Sequence, residues 1–219
     1  MASPLITLNS HTLALDYVIP VSIIVLSGGE SRRFGGGKQM FMLGSKPMFQ
    51  WVVDTATQAS DDVIISIKDK RQLAGWNISS DVTVAIDGRQ EYSPLIGTAS
   101  AVGKAKYDYT VVVPADSPFI TLGFIERLYR RISSTGFAAV IPIWPDGQPE
   151  VIHAIYRTEK LSKACDSLIG RNSFDVKGLP MELESVLFMS VEEIDGGDRI
   201  SLRDFDERGN FLGQWKDLP

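Results

Sequence analysis

The sequence predicts an α/β fold, a mostly parallel sheet covered by helices on both faces. Short β-branched apolar runs, at 21–26 and 109–113 above all, lack the polar alternation of a half-solvated strand and suit strands buried on both sides. Segments of helical periodicity alternate with these runs. The 219-residue chain is 44% hydrophobic, enough for one sizeable core. One domain over 21–219, preceded by an N-terminal extension over 1–20, is the expected organisation.

Residues 21–26 are the first expected strand, which empties into S-G-G-E-S-R-R-F-G-G-G-K at 27–38. Pro47, followed by Met48, Phe49, Trp51, Val52 and Ala56, places a proline in the first turn of a helix with an apolar face. Residues 63–67 and 82–86 read as the second and third strands. Pro94 opens a helix that runs through Ala99, Ala101 and Ala105, and 109–113 is a strongly buried strand. Residues 121–133 form an amphipathic helix capped by Thr121, and 137–143 is a further β-rich run. The turn W-P-D-G-Q-P then reverses the chain into a strand at 151–156 that runs the other way. Residues 157–168 suit a helix, 183–191 an extended segment, and the acidic stretch 192–206 mostly irregular structure.

Ligands of such sheets bind outside the carboxyl ends of the strands. The loop after Leu26, Asp87 and Asp116 all fall on that rim. The loop reads as a triphosphate cradle. Gly28, Gly29 and the glycines at 35–37 can bring backbone N–H groups close to an anion, and Arg32, Arg33 and Lys38 add fixed charge. Its spacing is neither that of a P-loop nor that of a G-x-G-x-x-G dinucleotide fingerprint, because Gln39 follows Lys38 and Gly28 and Gly29 are adjacent. Arg32 and Arg33, neighbours on the chain, diverge, so at least one is expected on phosphate.

Lys38 is either a solvated loop lysine or the cation that stabilises a leaving pyrophosphate when an α-phosphate is attacked, and the cradle favours the second. Asp116, in V-V-V-P-A-D-S-P-F-I, is either a turn aspartate or a metal ligand. Mg²⁺ needs only one or two carboxylates beside substrate phosphates and water, so the shared rim favours the metal. Asp87 either caps a turn or positions base, ribose or acceptor. Cys165 and His153 have no recognisable nucleophile partners in the sequence and are assigned to packing or surface roles.

Composition excludes several classes. A net charge of −5 argues against non-specific nucleic-acid binding. One cysteine rules out an intramolecular disulfide, and two histidines leave no Cys/His cluster for structural zinc; a reducing cytoplasm fits best. Residues 1–20 carry no early Lys or Arg and no clear cleavage site, a poor signal peptide. No window approaches the roughly 18 consecutive apolar residues of a membrane helix.

In order and separation, L-S-G-G-E-S-R-R-F-G-G-G-K, S-P-L-I-G, P-A-D-S-P-F-I and G-Q-P-E-V-I-H-A-I-Y resemble the molybdenum cofactor guanylyltransferase family over roughly residues 21–157. The resemblance implies a three-layer α/β/α, Rossmann-like nucleotidyltransferase fold with one antiparallel strand. It also implies that Leu26, Ser27, Gly28 and Gly29 meet base and ribose through backbone, that Arg32 and Arg33 face the phosphates, and that Lys38 is the catalytic lysine. Asp116 would match the Mg²⁺ aspartate, Asp87 an acidic residue near guanine and acceptor, and the turn at Gln148 and Pro149 a segment beside the pterin site. A late acidic residue in related enzymes supplies a second metal ligand, which makes Asp204 or Asp206 a candidate, with a solvated acidic turn as the other reading.

Three departures stand out: Gly37 where the family has aspartate, Ser93 and Ile96 in the usual G-P-L-A-G, and R-D-F-D-E at 203–207 in place of N-x-N-T-P. The implied activity is Mg²⁺-dependent transfer of GMP from GTP to the phosphate of Mo-molybdopterin, a molybdopterin-type phosphorylated acceptor, with release of pyrophosphate. Molybdoenzymes or biosynthetic proteins are the implied partners. The alternatives are a cytidylyltransferase for the same cofactor, a guanylyltransferase for another phosphorylated metabolite or sugar, or a nucleotide-binding regulatory protein with little turnover.

Overall fold

A computed structural model describes residues 18–28, 38–89, 91–195 and 201–202. Seven strands form one sheet: β1 (Ser22–Leu26), β4 (Asp62–Ile67), β5 (Thr83–Ile86), β6 (Tyr109–Pro114), β7 (Ala139–Ile143), β8 (Ala154–Arg157) and β9 (Val186–Ser190). Their order is β5-β4-β1-β6-β8-β7-β9. All pairings are parallel except those of β8, which runs against both β6 and β7. A two-stranded ribbon, β2 (Met42–Leu43) with β3 (Lys46–Pro47), lies outside this sheet.

The helices are α1 (Met48–Ala59), α2 (Pro94–Val102), α3 (Leu122–Ser133), α4 (Thr158–Gly170) and α5 (Val191–Asp195). Alternate residues of the strands feed two cores. Ile23 and Val25 of β1 and Val111 and Val113 of β6 meet Phe49 and Val52 of α1, Phe124 and Leu128 of α3, and Val191 and Ile194 of α5. Ile24 and Val112 face the other way, onto Leu95 of α2 and Leu161 and Cys165 of α4. Apolar residues are thus required on both faces of β1, β4 and β6, which is why their sequences show no polar alternation. Each large side chain so buried contributes about 1.5–3 kcal/mol.

Local chemistry sets the helix ends. Thr121 caps α3 by accepting from the Phe124 N–H at 3.1 Å. Ser93 caps α2, accepting from Leu95 N–H at 3.0 Å, with Pro94 at the first helical position. The side chain that departs from the family's glycine therefore fastens a helix start, and it also donates to the Phe174 carbonyl. Gly97, one turn on, is where α2 comes closest to the sheet: a Cβ there would stand 3.0 Å from Ser66 Oγ and 3.2 Å from a Leu26 methyl.

The expected elements are present, with three corrections. The strand expected at 151–156 begins only at Ala154, because Val151, Ile152 and His153 complete a turn in which His153 N–H donates to the Glu150 carbonyl. Helix α2 stops at Val102 rather than running to Ala105. The stretch expected to be irregular from 192 starts as α5, held by burial of Val191 and Ile194 against α3, with Ser190 Oγ accepting from Glu193 N–H at 3.2 Å. The ribbon β2–β3 and the 3-10 segment Val176–Glu182 are further elements that the sequence pattern does not announce.

Candidate active site

Strand order places the site. From β1 the chain steps outward to β4 and β5, then crosses back to lay β6 on the other side of β1. The carboxyl ends of β1 and β6 therefore flank a topological switch point, where loops leave in opposite directions and open a crevice. Lys38 enters from one side, on a 3-10 turn (Lys38–Met40), and Asp116 from the other, just past β6. Lys38 Nζ lies 2.8 Å from Asp116 Oδ2. The lysine side chain is 6% exposed and the aspartate 32%, so the pair sits at the mouth of the crevice with its cation inside.

The backbone at the end of β1 is tightly engaged. The Leu26 carbonyl accepts from Ala115 N–H at 2.9 Å, and Ser27 N–H donates to the Ser66 carbonyl at 2.8 Å. The Ser27 carbonyl accepts from two side-chain amides, Gln39 Nε2 at 3.2 Å and Gln72 Nε2 at 3.0 Å. Gln72 Oε1 in turn accepts from the Lys68 N–H. Two glutamines thus tie the start of the cradle to the segments that flank it. The Ser27 hydroxyl is buried, with no hydrogen-bond partner among the described residues. Gly28 stands against the Lys68 backbone nitrogen, 3.8 Å from where its Cβ would be. Gly29, Arg32, Arg33 and the glycines at 35–37 lie outside the described residues, as do Asp204 and Asp206.

Asp87 ends β5, buried, and pairs with Lys68 at 3.0 Å. That ammonium also donates to the carbonyls of Arg89 and Glu91, so its three donors are used, and it sits 4.6 Å over the Tyr92 ring. Asp87 Oδ1 accepts from Arg89 N–H at 3.0 Å. Asp87 therefore organises the loop after β5 through Lys68, a residue the sequence reading passed over. The signal was there: Lys68 follows an apolar run in the same way that Asp87 and Asp116 do.

A further group joins the Asp116 loop to the β7–β8 connection. The next residue, Ser117, is fully buried, and its Oγ is 2.8 Å from His153 Nε2. His153, also fully buried, places Nδ1 3.3 Å from Glu150 Oε2. Trp144 Nε1 donates to Glu150 Oε1. Burial pushes the Glu150 carboxyl up, but hydrogen bonds from His153 and Trp144 and nearby positive charge outweigh it and hold the group below its ordinary range. His153 is packed as the sequence reading expects, yet it does have a serine partner, thirty-six residues away in sequence. Cys165 is buried in the core beneath α4, and burial pushes its thiol up to about 12, which makes it unreactive.

Among the described residues no group of three or more His, Cys, Asp or Glu could cage a metal. Asp116 alone could hold a hard cation, provided that the cation takes its other ligands from phosphate and water, as Mg²⁺ does. Among the described residues no helix is long and apolar enough to cross a membrane.

Comparison with known proteins gives the family. The MobA-like NTP transferase domain family matches residues 23–176. A Haloferax mediterranei protein named "Probable molybdenum cofactor guanylyltransferase" is 29% identical over 82% of this chain and 92% of its own length. A molybdenum cofactor guanylyltransferase of Desulfosudis oleivorans is 31% identical over 69% of this chain and 70% of its own length. Among solved structures, molybdopterin-guanine dinucleotide biosynthesis protein A of Archaeoglobus fulgidus superposes with a TM-score of 0.75 at 21% identity, covering 90% of this chain and 97% of that one. That likeness is one of fold. The family match over residues 23–176, which takes in most of the sheet together with Lys38 and Asp116, means that the chain belongs to the MobA-like NTP transferase family and is a nucleotidyltransferase.

Proposed function

We propose that this protein transfers GMP from GTP to the phosphate of a molybdopterin-type acceptor and releases pyrophosphate, with Mg²⁺ as cofactor. The observation that carries the reading is the contact of Lys38 with Asp116 across the switch point. The relatives named for molybdenum cofactor guanylyl transfer support the base and the acceptor.

An acceptor phosphate oxygen attacks the α-phosphorus of GTP, the bond from that phosphorus to the β-bridging oxygen breaks, and the electron pair leaves with pyrophosphate. The acceptor phosphate is ionised at neutral pH, so no general base is required. Lys38 supplies positive charge where the leaving pyrophosphate gains negative charge, and its buried setting makes that charge count for more than it would in water. Asp116 would hold Mg²⁺, which when bound neutralises phosphate charge and aligns the phosphates. Lys38 then exchanges the Asp116 carboxylate for a phosphate oxygen, so the same lysine neutralises the aspartate before the substrate arrives and the phosphates afterwards. Asp87 and Lys68 hold the loop after β5 at the side of the crevice where base and acceptor are expected. Gln39 and Gln72 fix the carbonyl of Ser27 and so aim the chain that enters the cradle.

The test is incubation of the protein with Mg²⁺, molybdopterin and each nucleoside triphosphate in turn, followed by chromatography of the products. A dinucleotide formed with GTP is expected. Product with CTP at ten times the rate with GTP would make the protein a cytidylyltransferase, and absence of product with every nucleotide, despite nucleotide binding, would favour a regulatory role.

A further inference from the structure

We propose that Ser117, His153 and Glu150 are positioning residues that set the orientation of Asp116 and couple it to the β7–β8 connection. The proposal rests on the nucleotidyl-transfer reading of the Lys38–Asp116 site.

The polarity of the group is unusual for its place. Ser117 and His153 have no exposed surface, and a serine so enclosed cannot reach a substrate carbonyl or phosphorus, so the Ser-His-Glu order is not that of a nucleophile. Packing alone would be served as well by apolar side chains of the same size, because a buried polar network gains little net stability over an apolar one. What such a network provides is a single geometry, since each donor has its acceptor in one arrangement only.

Here the arrangement can be followed atom by atom. The Glu150 carboxylate, held ionised, can only accept. Trp144 Nε1 can only donate, and it takes Oε1. His153 Nδ1 must therefore carry the proton that faces Oε2. The other ring nitrogen, Nε2, meets the Ser117 hydroxyl at 2.8 Å. Three side chains on the β7–β8 connection thus fix the rotamer of the residue next to Asp116.

Position adds the second argument. The β7–β8 connection lies on the same rim as the end of β6, because β7 runs parallel to β6. Its turn is fixed by Gly147 at φ +87° and by Trp144 N–H donating to the Gln148 carbonyl at 2.9 Å. Glu150 N–H donates back to the Pro142 carbonyl at 2.8 Å. A ligand that moves this turn moves Glu150, then His153, then Ser117 and the adjoining aspartate. Occupancy of the turn would be sensed at Asp116 without any direct contact.

The experiment compares wild type with Ser117→Ala and Glu150→Gln, each a small change that leaves the apolar core intact. GTP binding is measured by titration calorimetry with and without Mg²⁺, and melting temperature alongside. Expected for both variants is a GTP affinity without Mg²⁺ within twofold of wild type, and a loss of at least tenfold in the enhancement that Mg²⁺ gives. Steady-state rates should show kcat falling at least tenfold with the KM for GTP within twofold. An independent reading comes from imidazole nitrogen NMR, in which a chain with two histidines gives few signals to assign. The His153 signal should shift when Mg²⁺ is added to the GTP complex of wild type but not of Asp116→Asn. An unchanged Mg²⁺ enhancement in both variants would overturn the positioning role. So would parallel losses of affinity with and without Mg²⁺ that follow a drop in melting temperature. Wild type that binds no GTP under either condition would instead sink the nucleotidyl-transfer reading, and the relay's role with it.

Discussion

At the scale of single residues, Lys38 and Asp116 form an ion pair at 2.8 Å. Removing the lysine should leave the fold intact, because the aspartate is partly open to water. It should lower turnover by about 10²–10³, the range for loss of one transition-state charge stabiliser. Steady-state kinetics of Lys38→Ala beside its thermal melt checks this, and a wild-type rate would remove Lys38 from the mechanism. Apart from Lys38, marked by its glycine-rich loop, the residues that lay open to reading in the sequence are those that follow an apolar run, since a strand's carboxyl end is a place that both pattern and chemistry mark. Asp87, Asp116 and, unread, Lys68 are of that kind. Gln39, Gln72, Ser117, Glu150 and His153 are not. Their roles depend on partners brought together by the sheet order, and no local spacing encodes that.

At the scale of elements, the burial of β1, β4 and β6 on both faces made them legible, whereas the short ribbon β2–β3 and helix α5 owe their form to contacts with larger neighbours. Helix α2 shows how an element sets the site without touching it. It rests on the ends of β1 and β4 through Gly97, whose missing side chain lets the helix reach Ser66 and Leu26. Gly97→Ala forces a Cβ into 3.0 Å of Ser66 Oγ and 3.2 Å of Leu26 Cδ2. The Ser66 and Leu26 side chains have little room to give on this tightly packed face, and the expected cost is about 1–3 kcal/mol, the range for overpacking. Chemical denaturation should show a lower midpoint with unchanged slope; a midpoint equal to that of wild type would mean that the Ser66 side chain turns aside without strain.

At the scale of the whole molecule, the two cores on either side of the sheet share the same strands, so a breach of one exposes the other. Cys165, in the core beneath α4, reports that cooperativity. Its thiol should react with a disulfide reagent only as fast as the fold opens, and unfolding by denaturant should release it in a single transition that coincides with loss of circular dichroism. Rapid reaction under native conditions would mean that α4 opens alone.

The pairing of β1 carries a consequence for how the chain is made. Ser22 faces Asp62 on one side and Thr110 on the other. A ribosome must therefore deliver the chain through β6 before the strand that leads into the cradle has its second neighbour. Until then β1, apolar at four of its five positions, presents an open edge to whatever lies near the exit tunnel, so the nascent protein calls for a chaperone earliest at the strand on which its chemistry later depends.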